Sequence, residues 1–176
     1  MTSPGGRLDF HQLVDDHYAA LYRYAYRLSG STADAEDLTQ ETFYQAQCKA
    51  DQIRDPGAAK AWLFRILRNA YLYRLRSEKQ QRLVSLDGLG DMVTAIEPLP
   101  TFDSGQLQEA LNELPEEFRT AVILYYFEEF SYRDIAEQLG VPIGTVMSRL
   151  ARAKRFLRKR LSSATSSHDR RTSDGL

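Results

Sequence analysis

Apolar residues recur at three- and four-residue intervals along most of this chain, and no stretch alternates apolar and polar positions strictly enough to predict a strand. A first helix is predicted from Leu8 to Leu28, stopped by Ser29-Gly30. Ser31 or Thr32 then caps a second helix that fades near Ala50, with Asp34 and Glu36 placed to complement its dipole. Its inward row is Ala35, Leu38, Thr42 and Ala46. Asp55-Pro56-Gly57 reads as a turn, and a long helix follows from Ala58 to Gln81 with a core stripe of Trp62, Leu63, Ile66 and Ala70. Periodicity then fails over LVSLDGLGDMVTAIEPLPTFDSG, residues 83 to 105, which holds three glycines, two prolines and no cation. This segment reads as a linker with room for a short helical turn, spanning about 25 Å as a flexible coil. Helices resume at Gln106–Asn112 and at Pro115–Glu128, with proline in the first turn. Ser131 caps the next helix, with Asp134 three residues on as a capping box. From Ser162 the chain is polar and rich in small residues, and is expected to be disordered. The pattern predicts an all-α chain of two small helical domains, 8–82 and 106–161, joined by a flexible linker at 83–105 and followed by a tail at 162–176.

Composition narrows the class. At 176 residues the chain has room for one large domain or two small ones, and a hydrophobic fraction of 43% suffices for their cores. No apolar run approaches the roughly 18 residues of a membrane span, and MTSPGGRLDFHQ lacks the apolar core of a signal peptide, so a cytoplasmic protein without membrane insertion is expected. Cys48 stands alone, which excludes an intramolecular disulfide and a cysteine-based zinc site.

The net charge of −1 conceals an uneven distribution. Residues 34 to 41 hold four acids and no base, and residues 60 to 82 hold seven bases and one acid, Glu78. Residues 83 to 105 hold four acids and no base, whereas residues 149 to 160 hold seven bases and no acid. Any one block could be a solvated helix face. Their alternation points to separate surfaces for partners of opposite charge.

The last basic block follows a recognisable local arrangement. Ala136, Gly140 and Val146 stand at helix-turn-helix spacing: a small residue for close approach, a glycine for the turn, an apolar anchor on the second helix. On that helix Val146, Leu150, Ala153 and Leu157 fall on an inward face, which leaves Ser148, Ala151, Arg152 and Arg155 outward. Arginines among small side chains suit the major groove, and Arg158, Lys159 and Arg160 beyond them suit phosphates. In the second helix Asp34, Asp37 and Glu41 form an acidic row that, left unpaired, invites a basic partner.

At these residues the chain resembles a known family. FSYRDIAEQLGVPIGTVMSRLARAKRFLRKRL is similar to region 4 of bacterial sigma-70 factors, especially the small extracytoplasmic-function (ECF) group. ADAEDLTQETFYQA resembles region 2.2, and AWLFRILRNAYLYRLR resembles regions 2.3 and 2.4, in the family's order, so the likeness covers roughly residues 8 to 161. It implies a region 2 domain of three or four helices and a region 4 helix-turn-helix domain. It further implies binding to RNA polymerase core, promoter recognition and melting, and transcription initiation in a stress or signal response, with no enzymatic activity. The implied partners are the β′ coiled coil and β subunit of core, promoter DNA and an anti-sigma factor. Asp34, Asp37, Gln40 and Glu41 match the motif that contacts the β′ coiled coil. Arg65, Arg68, Asn69 and Arg76 match the surface set against the minus-ten element, where a base is flipped out. Asn69 falls near that base pocket, and Ile53 to Ala59 match the loop that forms it. Thr145, Ser148, Arg149, Ala151, Arg152 and Arg155 are the residues expected at the minus-thirty-five element. Three departures matter: Tyr73 stands where an aspartate is frequent, Met147 where relatives often carry a base, and Ala151 where they carry a bulky side chain.

Chemistry finds little footing in the sequence. There is no phosphate-binding glycine loop, no zinc-ligand spacing and no nucleophile elbow, and His11 and His17 point to different helix faces. No metal and no cofactor are expected. Two other readings stay open at this level: a helical nucleotide hydrolase holding Mg²⁺ with Glu36, Asp37 and Glu41, and a repressor or activator that binds duplex operators unaided.

Overall fold

The computed structural model describes residues 9–50, 53, 55–84 and 104–168, and among these it contains seven α-helices and a short 3-10 turn but no strand. The chain divides into two compact units, Met1–Leu89 and Gly90–Leu176.

The first unit holds α1 (Phe10–Ser29), α2 (Thr32–Cys48) and α3 (Ala59–Val84), the last entered through the 3-10 turn Pro56–Ala58. Helix α1 opens at Asp9, whose carboxylate accepts from the His11 backbone N–H at 3.0 Å. It closes at Gly30, whose φ of 72° is left-handed and favours glycine. Ser31, the first of the two expected caps, accepts from the Asp34 N–H at 3.3 Å and starts α2. The three helices bury Leu21, Tyr24 and Leu28 against Leu38, Leu63, Phe64 and Leu67. Each large aliphatic chain so buried contributes about 1.5–3 kcal/mol. Tyr24 and Phe64 stack with ring centres 4.8 Å apart, and the Tyr71 hydroxyl donates to the Leu28 carbonyl at 2.9 Å, tying α3 to the end of α1. Thr39 and Thr42 are buried in α2 and donate to the carbonyls of Ala35 and Leu38 at 2.7 and 2.6 Å, so neither hydroxyl is left unsatisfied.

Helix α3 corrects one expectation. Trp62 is half-buried rather than core, while Phe64, Leu67 and Tyr71, outside the predicted stripe, are buried. The reason is that α3 packs against both α1 and α2, which widens its buried face beyond one row.

The second unit holds α4 (Ser104–Glu113), α5 (Glu116–Tyr126), α6 (Tyr132–Leu139) and α7 (Ile143–His168). Pro115 sits at the N-cap of α5, where a backbone N–H is not required. Ala110, Leu111, Ile123, Leu124, Ile135, Val146 and Ala153 form its core. Helix α7 packs on α4, α5 and α6, and it continues past Leu161 to His168 where a disordered tail was expected. Residues 162–168 contain no proline or glycine, so extending an established helix needs no new nucleation. Residues 169–176, and all but the ends of the expected linker, lie outside the described residues.

Candidate acidic and nucleic-acid interfaces

Along α2 the inward row Ala35, Leu38, Thr42 and Ala46 is buried, which turns Asp34, Glu36, Asp37, Gln40 and Tyr44 outward. The acidic row is not unpaired, contrary to the sequence-based expectation. Arg74 of α3 reaches across it, 3.1 Å from Glu41, 3.8 Å from Asp37 and 4.0 Å from Asp34. A signal for Arg74 existed: Leu63, Leu67, Ala70 and Arg74 stand at i, i+4, i+7 and i+11, so the arginine ends an apolar row.

On α3 Arg65, Asn69, Tyr73 and Arg76 are exposed on the side away from that row, and Arg68 is half-buried. The Nε of Arg68 has no hydrogen-bond acceptor among the described residues. Ahead of α3, the Gly57 N–H donates to the Asp55 carboxylate at 2.9 Å and shapes the turn, while Asp51, Gln52 and Arg54 lie outside the described residues.

The helix-turn-helix is built as its spacing predicts. Ser131 and Asp134 cap α6 reciprocally: the Ser131 Oγ accepts from the Asp134 N–H at 3.2 Å, and the Ser131 N–H donates to Asp134 Oδ2 at 3.2 Å. Gly140 ends α6 with φ 64°, and the Val141 N–H returns to the Ala136 carbonyl at 3.1 Å. At the opposite, N-terminal end of α6 Tyr125 and Tyr132 stack at 4.9 Å, and a hydroxyl pairing with Tyr125 raises the pKa of Tyr132 above its ordinary 10.0. On α7 Val146, Leu150 and Ala153 are buried and Leu157 is half-buried, while Met147, Ser148, Ala151, Arg152 and Arg155 are exposed. Thr145 is half-buried, and its carbonyl accepts from Ser148 Oγ at 2.9 Å.

Two cations of the basic block pair with acids on other helices that the local pattern did not show. Arg149 donates to Glu117 of α5 at 2.8 Å, with its side chain 18% exposed. Arg160, expected at phosphates, pairs with Glu113 of α4 at 2.9 and 3.1 Å. Among the described residues no group of three or more potential ligands is arranged for a metal, and no helix is long and apolar enough to cross a membrane.

Sequence models of two families match the chain: sigma-70 region 2 over residues 13–81 and sigma-70 region 4 over residues 104–157. The chain belongs to the sigma-70 family. Its relatives place it in the ECF group: it is 43% identical over 161 residues to the ECF RNA polymerase sigma factor SigE of Mycolicibacterium smegmatis, covering 88% of this chain and 62% of SigE. It is 30% identical to SigW of Bacillus subtilis, over 86% of this chain and 88% of SigW. Among solved structures it resembles the sigma factor RpoE in complex with the anti-sigma factor NepR from Bartonella quintana, at TM-score 0.81 and 36% identity over 88% of this chain and 97% of that one. CnrH, solved with the cytosolic domain of CnrY, matches at TM-score 0.65 and 26% identity over 90% of this chain and 91% of that one. This ECF sigma factor is thus a transcription initiation factor that directs RNA polymerase to promoters, with DNA binding through the helix-turn-helix of region 4.

Proposed function

We propose that the first unit of this sigma factor meets core polymerase through the outer face of α2, where Asp37 and Gln40 are flanked by Asp34 and Glu41. On this reading α3 meets the minus-ten element through Arg65, Arg68, Asn69 and Arg76, with Ile53 to Ala59 forming the base pocket. The second unit reads the minus-thirty-five element with Thr145, Ser148, Ala151, Arg152 and Arg155, while Arg149, held by Glu117, braces the recognition helix. The domains divide at 8–82 and 106–161. The protein acts beside polymerase in the cytoplasm, makes and breaks no covalent bonds of its own, and binds an anti-sigma factor, a reading supported by its likeness to RpoE, which was solved in complex with the anti-sigma factor NepR.

The observation that carries the reading is the sorting of charge. One unit presents acids on α2, and the other presents exposed cations on α7 behind an ordered helix-turn-helix. The test is capture of core polymerase by the tagged protein, followed by run-off transcription on genomic fragments. Asp37→Lys with Glu41→Lys should abolish both, since reversed charges against a basic partner cost several kcal/mol. Unchanged capture of core would reject the placement.

A further inference from the structure

Within the α2 face just described, the carboxylate of Glu41 is already occupied. Its Oε2 accepts from Arg74 Nη2 at 3.1 Å and its Oε1 from Gln45 Nε2 at 3.1 Å. Asp37 is differently placed: the Arg74 guanidinium lies 3.8 Å away, beyond hydrogen-bonding range, and the aspartate side chain is 68% exposed against 36% for Glu41. Asp37, Gln40 and Tyr44 stand at i, i+3 and i+7 and form one outward row, in which Tyr44 is 69% exposed. Glu41 lies to one side of that row, toward α3.

We propose that Glu41 is a positioning residue, held by Arg74 and Gln45 to fix α2 against α3, and that contact with core rests on the row Asp37–Gln40–Tyr44 with Tyr44 as its aromatic anchor. The proposal rests on the reading of α2 as the core-binding face and says which of its residues touch the partner. A basic helix approaching Glu41 must compete with two donors already in place, whereas at Asp37 it displaces water. Tyrosine adds a large rigid contact area with few rotors to immobilise, the property that concentrates binding energy at such side chains. Arg74 belongs to the helix whose far side exposes Arg65, Asn69 and Arg76, so its pairing with Glu41 fixes the acidic face relative to the basic one.

The test is titration of full-length protein with core polymerase, with helicity checked by circular dichroism for every variant. Asp37→Asn and Tyr44→Ala should each weaken association about tenfold or more. Glu41→Gln and Arg74→Gln should each cost about threefold or less, and the double variant should be no worse than either alone, because both remove the same contact. Arg74→Lys, which keeps a cation beside Glu41, should restore the affinity lost in Arg74→Gln. A Glu41→Gln loss that persists at full size in the Arg74→Gln background would show that Glu41 itself touches core and overturn the proposal. So would unchanged affinity for Tyr44→Ala. Failure of the underlying reading looks different: there Asp37→Lys with Glu41→Lys leaves association intact, and so do all the neutral substitutions.

Discussion

Arg152 and Lys159 lie seven residues apart on the same exposed helix, yet they are expected to do different things. Arg152 is exposed on the outward face with Ser148 and Ala151, where base edges are proposed to come within reach, while the exposed Lys159 falls beyond the turns proposed to face the groove. With Met147 and Ala151 in place of a base and a bulky residue, base readout is expected to fall on Arg152 and Ser148. Arg152→Ala should therefore cost roughly 1–3 kcal/mol on the preferred minus-thirty-five duplex and little on scrambled DNA. Lys159→Ala should weaken both alike and reduce the salt slope by about one at most. Binding of the full-length protein to both duplexes across a salt series decides; equal losses for Arg152→Ala would make it a phosphate contact. Gly140 carries a second residue-level expectation. A Cβ there would meet nothing within 4 Å, so the cost of Gly140→Ala is the left-handed backbone alone, about 1–2 kcal/mol, read as a lower denaturation midpoint. Both residues were legible in the sequence, because a turn glycine and an outward arginine follow from local spacing.

At the level of the element, amphipathic helices place their faces correctly wherever one side meets the core and the other meets solvent. This holds for α7 and for the expected row of α2, which is buried together with its neighbours Thr39 and Phe43. It falls short on α3, whose buried face also takes in Phe64, Leu67 and Tyr71, and it fails for charges whose partners come from another element: Arg74 with Glu41, Arg149 with Glu117, Arg160 with Glu113. Helix α1 carries a titration that follows from packing as well. Burial lowers the pKa of His17 below its ordinary 6.5, with Lys60 adding to the effect and Asp16 opposing it. The unfolded chain then binds more protons than the folded one as pH falls below the ordinary value. Stability is held above about pH 6.5 and lost as pH falls toward the lowered folded pKa. The melting temperature of the first unit should drop as pH falls below about 6.5, and His17→Gln should flatten the drop. An unchanged slope in the variant would remove His17 from the account.

At the scale of the whole molecule, each unit closes its own core, one around Leu63 and Phe64 and the other around Leu111 and Ile123. Cooperative melting follows the core, so calorimetry should resolve two transitions. Leu63→Ala should cost about 2–5 kcal/mol in the first transition and leave the second in place, while Leu111→Ala should do the reverse. A single transition that moves with either substitution would show that the units melt as one.

Local spacing alone was enough for the helical class, the helix-turn-helix and the faces of α2 and α7 that look outward. These depend on spacing along one chain, and a helix converts spacing directly into direction. The two basic blocks were readable from the chain as well, while the order of the regions came from the family resemblance. What residues distant in sequence do to one another came only with packing. It turned Trp62 to the edge of the core and carried two cations of the recognition helix onto Glu117 and Glu113. It also closed Arg74 over the acidic row. A charge pair 33 residues apart has no periodic signature, because its geometry exists only once α2 and α3 have packed.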